Sequence, residues 1–238
     1  MTVRGILFDV DDTLFDYSAS ARVGVIEHLR AEGLLEKFES EDAAAELWRS
    51  IEDEEYARFR TGEITFTGQR IARTERFLAS IGVTVDDPDA WFSAYLVQRD
   101  LVMAAFPDAL PTLQSLHGRV GLGVVSNSVR AMQEHKLRST GLLPYLGEAI
   151  LCCVEFGVAK PDPSIFLAGC DMIGLPPEQV AYVGNDYEID AIAARDAGLQ
   201  SYWLDRRGGA AVDDGITVIH SLTELTNSYF RPVNSSME

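Results

Sequence analysis

The sequence predicts an α/β fold: a parallel sheet covered by helices on both faces, giving a three-layer α/β/α core, with a helical bundle inserted after the first strand. Three observations predict it. A run over residues 3–8, apolar apart from Arg4, reads as a buried strand. From 17 to 103, apolar residues recur at three- and four-residue spacings, the period of amphipathic helices. From Phe106 onward the pattern becomes strand–helix alternation, the mark of a parallel sheet. The first strand must join that sheet across the insertion. Residues 1–16 and 104–238 are therefore expected to form the sheet domain, and 17–103 a helical cap that acts as a lid over the strand ends.

Within the insertion, Ser18 can cap a helix carrying Val23, Ile26 and Leu29 and closed by Gly33. Ser40 can cap a longer one through Leu47, Trp48, Ile51 and Phe59, stopped by Gly62. A third runs from about Thr67 to Gly82, and Pro88 opens a fourth with Trp91 and Tyr95. Four helices without an intervening strand form a bundle. In the second half, strands are expected at 120–125, 149–154, 180–183, 201–204 and 216–219. Helices are expected at about 129–138, from Pro163, and at about 190–197 and 222–228. The tail after Tyr229 reads as frayed.

A chain of 238 residues, 47% hydrophobic, buries roughly 70–75% of its unfolded surface, enough for a substantial core. Its formal net charge of −17 repels DNA, RNA and anionic membranes, which excludes a nucleic acid polymer as partner. No apolar run approaches membrane-spanning length. Three cysteines make no disulfide framework, and the adjacent Cys152 and Cys153 lie in an apolar stretch, as buried thiols do. The expected address is a reducing cytoplasm. So acidic a chain can take a small phosphorylated metabolite as partner only where positive charge is local to the site, and the expected assembly is a monomer or homodimer.

Four constellations carry chemistry. Asp9 and Asp11 follow the first strand and alternate with Val10, so both can face one side of the exit. One carboxylate can attack phosphorus and the other can move the proton, in phosphate ester hydrolysis. Alone, Asp-x-Asp is a weak signal and reads first as an acidic turn. Ser126 and Asn127 lie at a second strand exit, where a hydroxyl and backbone amides can hold phosphoryl oxygens. Lys160, fixed by Pro161 and Pro163, offers the local cation that a phosphate site on so acidic a chain needs. Gly184-Asn185-Asp186-Tyr187-Glu188-Ile189-Asp190 leaves a fourth exit with oxygens suited to a hard cation, or simply caps a helix. Phosphate monoester hydrolysis demands up to ~10²¹-fold acceleration, about 29 kcal/mol. One preorganised donor supplies about 2.7–4 kcal/mol, so the motifs must act together.

Taken together, Asp9-x-Asp11-x-Thr13-Leu14, Ser126-Asn127, Lys160-Pro161 and Gly184-Asn185-Asp186…Asp190 resemble the haloacid dehalogenase superfamily of hydrolases, over residues 3 to about 225. The resemblance implies a Rossmann-like core with a helical cap. It implies Asp9 as nucleophile, Asp11 as general acid and base, and Ser126 and Lys160 holding the phosphoryl group, with added contacts from Asn127. It further implies Mg2+ held by Asp9, by the main-chain carbonyl of Asp11, and by the fourth motif through Asn185, Asp186 and Asp190. Dehalogenating members lack an acid two residues after the nucleophile, so Asp11 favours a phosphatase. The stretch 47–65, with Glu155-Phe156-Gly157-Val158-Ala159-Lys160-Pro161, is similar to the pyrimidine nucleotide 5′-phosphatase branch. Asn185 stands where the family usually has Asp, which predicts weaker magnesium binding.

The expected function is thus a magnesium-dependent phosphatase acting on a small phosphomonoester, a nucleoside monophosphate first among them. The alternatives are a sugar-phosphate or phosphoglycolate phosphatase, a phosphomutase, and a phospho-ligand binding protein with weak turnover. His28, His117, His135 and His220 fall in no motif. Trp48, Tyr56 and Phe59 fit a bundle core better than a base-stacking site.

Overall fold

The strand β1 (Gly5–Phe8) is buried along its whole length, which explains why its residues are apolar without alternation. In the computed structural model, residues 3–208 and 213–229 are described; the tail after Tyr229, expected to fray, lies outside them. The chain divides into two compact units, Met1–Phe15 with Ala105–Glu238, and Asp16–Ala104.

The second unit holds α1 (Tyr17–Ala31), α2 (Glu41–Arg60), α3 (Phe66–Ser80) and α4 (Pro88–Asp100). Each starts at a residue whose side chain accepts a hydrogen bond from the first turn: Asp16, Ser40, Thr65 and Asp87. Ser18, expected as the first cap, instead lies inside α1. Asp16 caps two residues earlier, its Oδ1 accepting from the Ala19 N–H at 3.1 Å. The four helices meet on a core that includes Val25, Leu29, Ala44, Trp48, Phe77 and Tyr95. Trp48 sits among Phe77 and Tyr95, with ring centroids 5.0 and 4.9 Å away, so its place in the core is the packing one. Phe59 lies between Tyr56 and Phe66, at 5.5 and 5.3 Å.

After this unit come α5 (Ala109–Leu116), β2 (Gly121–Ser126), α6 (Arg130–Ser139), α7 (Leu143–Leu146), β3 (Ile150–Cys152), α8 (Cys153–Phe156) and α9 (Pro163–Met172). Then follow β4 (Val180–Gly184), a π-helical turn over Tyr187–Ile192, α10 (Ala193–Asp196), β5 (Gln200–Leu204), β6 (Ile216–Ile219) and α11 (Thr223–Tyr229). The strand expected over 149–154 ends at Cys152. Cys153 already belongs to α8, because an apolar run this short is compatible with either structure. The helix expected from about 190 begins earlier, as the π-helical turn. Cys152, Cys153 and Cys170 are free and buried. Burial pushes the thiols of Cys152 and Cys153 up to about 12 and about 11.

Among the described residues the strands form one six-stranded parallel sheet in the order β3-β2-β1-β4-β5-β6. Helix α9 packs closely on it: a Cβ at Gly169 would lie 2.7 Å from Val125 Cγ2 and 2.8 Å from Leu7 Cδ1. The strand order reverses at β1, with β2 on one side and β4 on the other. In such sheets the crevice beyond the strand ends at this point is where ligands sit. Among the described residues no helix is long and apolar enough to cross a membrane.

Candidate active site

The register of the sheet sets the site. Phe8 lies opposite Val124 on one side and Val183 on the other, and the Asp9 N–H donates to the Val183 carbonyl at 2.9 Å. Asp9 is therefore the first residue past the end of the central strand, level with Gly184. The chain then folds back at once. The N–H groups of Thr13, Leu14 and Phe15 all return to the Val10 carbonyl, and Asp12 adopts a left-handed φ of 57°. Asp tolerates that conformation better than most residues. Arg206 steadies the turn from outside, its Nη2 donating to the Thr13 carbonyl at 3.0 Å and to Asp108 Oδ1 at 3.0 Å.

Lys160 reaches Asp9 from the segment before α9. Its Nζ lies 2.8 Å from Asp9 Oδ1, 2.7 Å from Asp190 Oδ1 and 2.9 Å from Tyr182 Oη. The backbone that presents it is gripped by Asn127. The Lys160 N–H donates to Asn127 Oδ1 at 2.7 Å, and Asn127 Nδ2 donates to the Lys160 carbonyl at 2.9 Å. The structure thus brings Asn127 to Lys160 as a clamp on its main chain. Asp190 is reached past Gly184, and its Oδ2 accepts from the Asp186 N–H at 3.0 Å.

These groups are almost sealed: the side chains of Lys160, Asp9 and Asp190 are 3%, 10% and 2% exposed. Burying an ammonium ion costs several kcal/mol unless anions surround it. Burial alone would weaken the proton's hold on Lys160, but Asp190 and Asp9 outweigh it and keep the amine charged, well above its ordinary range. Asp9 is pushed the other way. Burial drives its carboxyl up to about 7, Lys160 opposes this, and Asp190 and Asp11 add to it by repulsion. The site holds more negative charge than its lysine neutralises.

Asp11 sits beside this group with its carboxylate facing α6. Lys136 Nζ donates to Asp11 Oδ1 at 2.5 Å, and Gln133 Nε2 donates to Asp11 Oδ2 at 2.9 Å and to Ser126 Oγ at 2.8 Å. Ser126, the last residue of β2, is thereby joined to Asp11 through one amide. Asn185 accepts from Thr13 Oγ1 at 3.1 Å through its own Oδ1, and its carbonyl accepts from Trp203 Nε1 at 2.9 Å. Asp186 caps the π-helical turn, its Oδ1 accepting from the N–H groups of Glu188 and Ile189. Among the described residues, no three of His, Cys, Asp and Glu are grouped to hold a metal ion. A cation here would draw instead on carboxylate, amide and carbonyl oxygens together.

The four sequence constellations converge on one strand-end crevice. Three participants were not legible in the sequence. Tyr182 lies inside an otherwise apolar strand. Gln133 and Lys136 lie three residues apart on a helix, and that shared face is the only signal that could have found them.

A family model of haloacid dehalogenase-like hydrolases matches residues 3–198. The chain belongs to the haloacid dehalogenase-like hydrolase family. Among its relatives in that family, the glyceraldehyde 3-phosphate phosphatase of Methanopyrus kandleri is 31% identical, over 87% of this chain and 85% of its own length. The pyrimidine 5′-nucleotidase YjjG of Escherichia coli is 25% identical over 92% of this chain and 96% of its own. Of solved haloacid dehalogenase-like structures, the 2-haloacid dehalogenase of Pseudomonas syringae matches with a TM-score of 0.67 at 27% identity, covering 95% of this chain and 97% of that one. The hydrolase YfnB of Bacillus subtilis, solved bound to magnesium, shares the fold with a TM-score of 0.85 at 21% identity, covering 96% and 99%.

Proposed function

We propose that the protein is a magnesium-dependent phosphatase of a small phosphomonoester, with a nucleoside monophosphate as the first candidate. One observation carries the reading: Asp9 lies buried against Lys160, itself paired to Asp190, with a second acid, Asp11, two residues further on. In the first half of the reaction, an Asp9 oxygen bonds to phosphorus as the ester P–O bond breaks, and Asp11 gives its proton to the departing oxygen. In the second half, Asp11 takes a proton from water as the water oxygen bonds to phosphorus and the aspartyl-phosphate opens. Lys160 and Ser126 hold the phosphoryl oxygens, and Asn127 keeps Lys160 in place. Asp190 keeps Lys160 charged, and Tyr182 fixes the amine from a third direction.

The donor set suits a hard divalent cation, being made of oxygens alone. Burial drives Asp9 up to about 7 and the neighbouring Asp190 and Asp11 add to it by repulsion, so a cation beside these carboxylates would relieve both. Asp9, the main-chain carbonyl of Asp11 and Asn185 would hold it, with Asp186 and Asp190 supporting from behind through their own hydrogen bonds. Bound magnesium supplies positive charge that lowers the proton affinity of Asp9 and eases the approach of a phosphate dianion.

A nucleoside monophosphate is favoured by the likeness to the nucleotidase YjjG across nearly the whole chain. A triose phosphate is the second reading, favoured by the 31% identity to the glyceraldehyde 3-phosphate phosphatase. The test is phosphate release from p-nitrophenyl phosphate with magnesium, with chelator and with Asp9→Asn, followed by a panel of nucleoside monophosphates, triose phosphates and sugar phosphates. Release that needs both magnesium and Asp9, and is fastest on a nucleotide, is expected. Release undiminished in Asp9→Asn or in chelator would sink the reading; a triose or sugar phosphate far ahead of every nucleotide would replace only the substrate.

A further inference from the structure

The carboxylate of Asp11 is held at both oxygens by one helix face. Lys136 takes Oδ1 and Gln133 takes Oδ2. The two donors stand one turn apart on α6 and are buried almost completely, Gln133 0% and Lys136 2% exposed, whereas the Asp11 side chain is 31% exposed. Burying a lysine amine and an amide in a packed helix face costs stability that Leu or Met would not incur. Gln133 goes further. Its Nε2 is shared between Asp11 and Ser126 while its Oε1 is buried with no hydrogen-bond partner among the described residues. A side chain serving packing alone would not leave such an acceptor unmet, a cost of about 1–3 kcal/mol. Its donor end is committed to Asp11 and Ser126, the two residues that the phosphatase reading sets beside the phosphoryl group.

From this geometry we infer that Gln133 and Lys136 are positioning residues for proton transfer: they lock the Asp11 carboxyl in one orientation, tied through Gln133 to Ser126. The inference rests on the phosphatase reading of the site. Both residues act through Asp11, whose two oxygens they hold. Both act by keeping the Asp11 oxygens where the leaving oxygen departs, so that the proton passes from Asp11 to that oxygen as its bond to phosphorus breaks. A lysine with an aliphatic reach and the shared amide together remove the two rotations by which a carboxyl three residues past a strand end could turn away.

The signature is dependence on the leaving group. An alkyl phosphate needs a proton on its departing oxygen; an aryl phosphate with a good leaving group scarcely does. The experiment measures kcat/KM, which reports the steps through first phosphoryl transfer, for uridine 5′-monophosphate and p-nitrophenyl phosphate. It compares wild type, Asp11→Asn, Lys136→Met, Gln133→Leu and Lys136→Arg, all with magnesium. Removing a general acid outright costs about 10²–10⁴-fold, and losing its positioning is expected to cost the nucleotide about tenfold or more. The aryl phosphate should fall by less than about threefold in the same variants, and Lys136→Arg should recover part of the loss. Gln133→Leu removes no charge and keeps the test open if Lys136→Met does not fold. Equal losses on both substrates in Lys136→Met and Gln133→Leu, while Asp11→Asn discriminates between them, would overturn the inference and leave the phosphatase reading standing. If Asp11→Asn itself does not discriminate, the acid role of Asp11 fails and the inference falls with it.

Discussion

A Cβ at Gly184 would lie 2.3 Å from Asp190 Oδ2, far inside van der Waals contact. The glycine at the end of β4 therefore leaves the space into which the Asp190 carboxylate folds back to meet Lys160 and the Asp186 N–H. Its φ lies outside the left-handed region, so the requirement is space and not backbone freedom. Gly184→Ala is expected to displace Asp190, destabilise the fold by about 1–3 kcal/mol as over-packing does, and cut phosphate release. Thermal melts and a steady-state assay check this. Unchanged stability and turnover would mean that the Asp190 contact is dispensable.

Asn127 bonds the main chain of Lys160 in both directions. Asn127→Ala leaves a buried N–H and a buried carbonyl unmet, so a loss of about 1–3 kcal/mol is expected on chemical denaturation. Because Lys160 would be held less firmly against the phosphoryl group, kcat/KM should fall more than the stability loss alone explains. Asn127→Asp keeps one acceptor, for the Lys160 N–H, and is expected to fall between the two.

The chemistry is legible in the sequence where a polar residue interrupts an apolar strand exit. Asp9, Ser126 with Asn127, and Gly184 with Asn185 all stand at such breaks, and the parallel register brings them together without further instruction. Lys160 was legible through its prolines. What stayed hidden has a common cause. Tyr182 looks like any large strand residue until Lys160 is placed beneath its hydroxyl, and Gln133 and Lys136 look like solvated helix positions until α6 is docked over Asp11. Tertiary contact alone makes them polar partners. The same limit explains why the strand expected to reach 154 ends at Cys152: an apolar run does not reveal whether it continues extended or turns helical.

Asn185 contributes an amide where a carboxylate would add charge. Asn185→Asp is expected to tighten magnesium binding, measured by calorimetry on the metal-free protein, by about tenfold, the equivalent of 1.4 kcal/mol. No gain in affinity would place residue 185 outside the cation's reach.

The burial that raises the Asp9 carboxyl from its ordinary value of 3.8 to about 7 has a consequence for stability. A carboxyl with a raised pKa in the native state holds an extra proton there, so its contribution is present below about 3.8 and is lost as pH rises toward about 7. Asp9→Asn does not titrate. In chelator its melting temperature should exceed that of wild type by a margin that widens between about pH 4 and pH 7. At pH 7 the gain should reach at least about 1 kcal/mol, since a tenfold change in proton affinity is worth about 1.4 kcal/mol. Added magnesium should narrow the gap by stabilising wild type more. A margin that stays flat with pH would contradict the electrostatic account of Asp9.

The most direct test of the account is to catch phosphorus on Asp9. Wild-type protein is mixed with p-nitrophenyl phosphate and magnesium, quenched within a turnover in acid, reduced with borohydride, and mapped by mass spectrometry. The account predicts homoserine at position 9 and nowhere else, with none in protein quenched without substrate. Full phosphate release with position 9 left as aspartate in every quench would contradict it.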